Sequence, residues 1–77
     1  MANFWPATAL TGGENEALDA IDGDRLAEGD GALVITSTST YVYTLTVTSS
    51  PKSESSPDVI TPDQNAGDKR WELVEIY

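Results

Sequence analysis

The chain contains no cysteine and no histidine. Disulfides are excluded, as are the usual zinc, haem and iron–sulfur ligand sets and any nucleophile worked by an imidazole base. Positive charge is equally scarce. Four Lys+Arg stand against 13 Asp+Glu, a formal charge of −9 and a pI near 4.1. Such a field repels phosphate backbones and anionic lipid, so neither nucleic acid nor a membrane surface is expected as a partner. No stretch approaches the ~20 apolar residues of a membrane span, and the opening Met1 to Pro6 lacks the basic and apolar regions of a signal peptide. A soluble, unexported product is expected. Gly12-Gly13 follows no strand and precedes no lysine, which reads as a turn and not as a phosphate loop.

Length sets the next bound. For 77 residues, area scaling gives roughly 4,500 Å² of folded surface against roughly 11,900 Å² unfolded, so about 62% can be hidden by a monomer. With no cross-link to supplement so thin a core, self-association is expected.

What is present reads as β-structure. In Tyr41-Val42-Tyr43-Thr44-Leu45-Thr46-Val47-Thr48 the odd positions are apolar and the even ones mostly threonine, the period-2 pattern of a half-buried antiparallel strand. Tyr41, Tyr43, Leu45 and Val47 are expected on the core face, with a threonine stripe opposite. Ala32 to Thr36 supplies the hairpin partner across a Ser37-Thr38-Ser39 turn. Residues 49–57, rich in Ser and Pro, read as a mobile loop. Val59-Ile60, bracketed by Pro57 and Pro62, reads as an edge strand or strap. Lys69 to Tyr77 forms a last strand in which Trp71 and Leu73 share one face while Val74 and Ile76 share the other, predicting a bulge or a strand held between its own domain and a neighbour.

Two segments are less regular. Residues 1–9 read as an N-terminal arm preceding a single domain over 10–77. Phe4, Trp5 and Pro6 either cap the domain's own core or dock on a neighbouring subunit. Glu14 to Asp30 holds seven acids against Arg25 alone, and Asp22-Gly23 and Gly29-Asp30-Gly31 leave room for at most one short helical turn. The fold class expected is therefore mainly β, a small antiparallel sandwich or barrel-like domain.

The acidic run fails as a calcium loop. An EF-hand starting at Asp22 needs a ligand at Leu26, glycine at Ala27 and glutamate at Leu33. A solvated acidic face is the simpler reading, and no metal or cofactor is expected. Lys69-Arg70-Trp71 can be read as a stacking platform, but against a charge of −9 Arg70 is better placed to neutralise carboxylates and Trp71 to fill the core. A chain this short offers little wall for a substrate cleft, so enzyme activity is not expected.

One further pattern lies in the order of short phrases: Leu10-Thr11-Gly12-Gly13, the LDAIDG run over 18–23, Gly29-Asp30 before a strand, a tyrosine-rich strand, Ser56-Pro57-Asp58-Val59-Ile60, and Pro62-Asp63 leading through Gly67 to Arg70-Trp71. Over residues 10–73 this resembles modules of bacteriophage and prophage virion proteins, in tail fibres and other small structural components. The resemblance implies a non-enzymatic, β-rich and commonly trimeric module located in the virion and made in the bacterial cytoplasm. A free-standing copy is expected to act as a capsid decoration or cement protein on a major capsid protein, or as a tail-fibre or tail-accessory module on a tail protein. Phe4, Trp5 and Pro6 would anchor it, and Arg70, Trp71, Val74, Ile76 and Tyr77 would lie in or beside the strand that joins copies. A small carbohydrate- or protein-binding β-module, using Tyr41, Tyr43 or Trp71 as a sugar platform, is the rival reading.

Overall fold

The alternating segment forms the central strand of the protein. A computed structural model of the chain describes residues 3–12 and 16–77; Met1, Ala2, Gly13, Glu14 and Asn15, which include parts of the arm and of the Gly12-Gly13 turn, lie outside the described residues. Five strands make one sheet in the order β1-β2-β3-β5-β4: β1 Phe4–Ala7, β2 Gly31–Ile35, β3 Thr40–Val47, β4 Val59–Ile60 and β5 Lys69–Ile76. The protein is mainly β, and among the described residues no helix is long and apolar enough to cross a membrane.

The β2–β3 hairpin forms where the pattern places it. Its turn is closed by the Thr36 hydroxyl, which donates to Ser39 O at 2.9 Å and accepts from Ser39 N at 3.1 Å. The side chain reinforces the backbone turn bond from Thr36 N to Ser39 O at 2.9 Å. On one face of the sheet Ala7, Ala32, Val34, Tyr43, Leu45, Ile60 and Trp71 are buried, and Leu18 and Leu26 close over them. The total surface, 4487 Å², agrees with the roughly 4,500 Å² that scaling assigns to a monomer of this mass.

Two expectations need correction. The sheet is mixed and not antiparallel throughout, because β1 runs parallel to β2. Parallel neighbours require a long crossover, and residues 8–30 supply it while carrying Leu18, Ile21 and Leu26 across the sheet, so the acidic connection is also the lid of the core. The lid contains two single-turn 3-10 helices where at most one helical turn was expected, Leu18–Ala20 and Gly23–Arg25. The second is started by Asp22, whose side chain accepts the Asp24 amide at 2.9 Å. Gly23 is required there, since a Cβ would fall 2.1 Å from the Asn65 carbonyl oxygen. Its amide donates to Gln64 O at 2.8 Å and its carbonyl accepts from Lys69 Nζ.

Tyr43 anchors the far edge. It is 1% exposed, and its hydroxyl donates to Pro57 O at 2.5 Å. Burial first, then the proximity of Tyr41 and Asp58, pushes its phenol up to about 12. The folded value lies above the ordinary phenol value of 10.0, so the stability tied to this group is complete below pH 10 and is lost as pH rises through about 12. Phenolate absorbance should show one of the three tyrosines ionising late and together with loss of the β-sheet circular-dichroism signal. A Tyr43→Phe chain should lose that joint step.

Candidate functional site

Strand alternation divides the sheet into a covered and an open side. Register carries Trp5, Ala7, Ala32, Val34, Tyr41, Tyr43, Leu45, Trp71 and Leu73 to the covered side, and Phe4, Pro6, Leu33, Ile35, Val42, Thr44, Thr46 and Glu72 to the open one. Pro6 aligns with Leu33, and Leu33 with Val42, while Val42 pairs with Glu75 across β5. The Phe4 ring lies over Gly31, its Cδ1 3.1 Å from where a Cβ would stand, so glycine leaves room for the aromatic edge.

A bulge in β5 sets the far end of this side. Tyr43 faces Leu73 but Val42 faces Glu75, leaving Val74 as the extra residue. The predicted bulge is present, but its effect on the faces differs from the prediction. Val74 and Ile76 do not share a side: the inserted residue resets the alternation, so Ile76 pairs with Tyr41 on the covered side. Val74 stays with Glu75 opposite Val42. A broken apolar band thus crosses the open side from Phe4 and Pro6 through Leu33, Ile35 and Val42 to Val74, with Phe4, Ile35 and Val74 exposed by 62%, 54% and 61%. Single exposed apolar residues are ordinary, whereas several gathered on one sheet side, even in a broken row, make a candidate contact surface.

The remaining candidate residues fall elsewhere. Trp71 is 0% exposed and sits in the core, so burial withdraws it from any contact surface or sugar platform. Trp5 packs half-buried against that core, its indole Nε1 donating to Asp30 Oδ2 at 3.0 Å and its ring 5.0 Å below the Arg25 guanidinium. Asp30 is itself fully buried and also accepts from Asn3 N at 2.9 Å and Ala27 N at 3.1 Å. Burial alone would push this carboxyl up, but the three N–H donors outweigh it and hold it below the usual value. The arm is thus latched by a carboxylate that charge-run reading had assigned to a solvated face.

Arg70 does not neutralise carboxylates among the described residues. Its guanidinium donates to Lys52 O at 2.9 Å, Gly67 O at 3.0 Å and Lys69 O at 2.7 Å. Together with the Lys52–Glu72 ion pair at 3.1 Å, it ties the 49–57 loop back onto β5. The Thr46 hydroxyl bond first, then Lys52, lowers the Glu72 carboxyl. All four cations of the chain are therefore engaged internally. Along the outer edge of β5, β4 pairs only with Trp71 and Glu72, and Asp58 O accepts the Leu73 amide. Past that point β5 has no outer strand among the described residues. Tyr77, 72% exposed, is held by paired backbone bonds to Thr40.

At the β1 corner the open side deepens into a groove of about 310 Å³ lined by Pro6, Ala7, Thr8, Glu16, Leu33 and Ile35. Among the described residues no cluster of three His, Cys, Asp or Glu is arranged to hold a metal. The open-side residues Leu33, Ile35 and Val42 were absent from the predicted contact set. Their signal was the unbroken apolar run Ala32-Leu33-Val34-Ile35, which gives a strand apolar character on both faces. No family model, curated protein or solved structure matches the chain.

Proposed function

We propose that the chain is a non-enzymatic structural subunit of a bacteriophage particle, a trimeric capsid decoration or cement protein that beds its open sheet side on the particle. The observation that supports this best is the apolar band of Phe4, Pro6, Leu33, Ile35, Val42 and Val74 on the sheet side opposite the lid, where Phe4, Ile35 and Val74 stay exposed. The ordered phrases resembling virion modules supply the kind of particle. Phe4 and Pro6 at the β1 corner seat the subunit. Val74, Tyr77 and the unpaired outer edge of β5 join copies, since an exposed edge is a template for strand addition. Several weak contacts per trimer then act together on a repeating surface.

Sedimentation at micromolar concentration and electron microscopy of labelled particles test this reading. A trimer decorating the shell is expected. A folded monomer that ignores the particle overturns the proposal, and density confined to the tail moves it to a tail-accessory role. The double variant Ile35→Asp/Val42→Asp should keep its far-ultraviolet circular dichroism but bind particles about thirtyfold more weakly, the loss from one interface hot spot.

A further inference from the structure

We propose that the groove at the β1 corner is a receptor for a lysine or arginine side chain of the partner polypeptide, taken stem-first over Pro6, Leu33 and Ile35 with its cation against Glu16. The inference rests on the docking corner proposed above and names the chemistry it selects. The groove is walled mainly by Pro6, Ala7, Leu33 and Ile35, and among the described residues its one charged wall residue is Glu16. That carboxylate is fixed at the rim, not swinging from a free loop: Thr8 Oγ1 donates to Glu16 Oε2 at 3.3 Å, and the Thr8 amide donates to Glu16 O at 2.8 Å. Just beyond, the Leu18 amide donates to Ala9 O at 2.8 Å, so the 16–18 segment is paired to the chain that follows β1.

Charge complementarity chooses the occupant. Lys52 is paired with Glu72, Arg70 and Lys69 donate to backbone carbonyls, and Arg25 covers Trp5, so none of the four Lys and Arg side chains lines this groove among the described residues. A second copy, bringing −9 to −9, adds repulsion at the same place. An acidic or purely apolar segment leaves Glu16 either opposed or unanswered at the mouth. Lysine and arginine combine a long methylene stem with a terminal charge, which matches an apolar floor ending in a carboxylate.

The test is a titration of isotopically labelled full chain, followed by amide nuclear magnetic resonance, with three probes: acetyl-Val-Lys-Val-amide, its norleucine analogue and its glutamate analogue. The lysine probe is expected to shift Thr8, Leu33 and Ile35. It should bind roughly threefold more tightly than the norleucine probe, the scale of an exposed ion pair, with the advantage gone at about 1 M salt. Glu16→Gln keeps an acceptor for Thr8 and should abolish the preference without unfolding the chain. Equal binding of the lysine and norleucine probes overturns the cation assignment while leaving the docking corner intact. Binding of no probe at these residues overturns the inference, and particle binding by the Ile35→Asp/Val42→Asp chain then decides separately whether the corner docks at all. Shifts of the same residues with protein concentration alone assign the groove to a second copy and likewise overturn it.

Discussion

Asp30→Ala should cost about 2–4 kcal/mol, because it strips the acceptor from three N–H groups at once, one of them an indole packed against the core. For 77 residues the whole stability is on the order of 4–12 kcal/mol, so the variant loses a large fraction of it. Its urea midpoint should fall, and Trp5 emission should shift red before the global transition. Trp71, buried among Leu45 and Ile60, should stay blue until the sheet itself opens. Asp30→Asn keeps the volume and one acceptor oxygen but turns an amide toward the donors, and about half the loss is expected. Acid supplies an independent check of sign. The folded carboxyl lies below its ordinary value, so its contribution is complete above the unfolded carboxylate range near pH 4 and is lost as pH falls through the folded value. Asp22 and Glu72 are lowered as well. The informative quantity is therefore the difference between the parent and Asp30→Asn, which should shrink toward pH 2. A difference that stays constant would mean that Asp30 matters through packing and not through its charge.

Asp30 also shows why part of the structure was legible in the sequence and part was not. Local period is enough for β3, whose alternation exists within eight residues, and the two-sided apolarity of Lys69 to Tyr77 was enough to anticipate a bulge. Neither signal depends on where the rest of the chain goes. The parallel pairing of β1 with β2 does, because it joins Trp5 to Ala32 across the whole acidic lid. No periodicity within Phe4 to Ala7 encodes that partner. Similarly, an acidic run is solvated on average, yet Asp30 and Asp19 within it are buried; for Asp30 two of the three donors, Asn3 N and the Trp5 indole, come from the far side of the crossover. The open side was missed for a related reason. Tyr41 and Tyr43 draw the eye to one face of β3, whereas the exposed band is assembled from one or two modest residues on each of four strands.

Trp71→Ala is expected to have the largest effect of any single change, about 3–5 kcal/mol, a large share of the whole stability of the chain. Trp71 is the largest fully buried side chain. It stands between Leu45 on β3 and Ile60 on β4 by register, directly beneath the lid that carries Leu18 and Leu26. Removing the ring takes the floor from under the lid residues Leu18 and Leu26 and leaves a void between Leu45 and Ile60. Trp71→Phe separates volume from polarity. The indole Nε1 has no hydrogen-bond partner among the described residues, so phenylalanine discards a buried unsatisfied donor while leaving a void smaller than alanine's. Those terms oppose each other, and a net change within about 1 kcal/mol is expected. Chemical denaturation of the two variants side by side decides it. A phenylalanine chain as unstable as the alanine chain would mean that the nitrogen is bonded in the native state, and that the core around Trp71 is built on polarity as well as on shape.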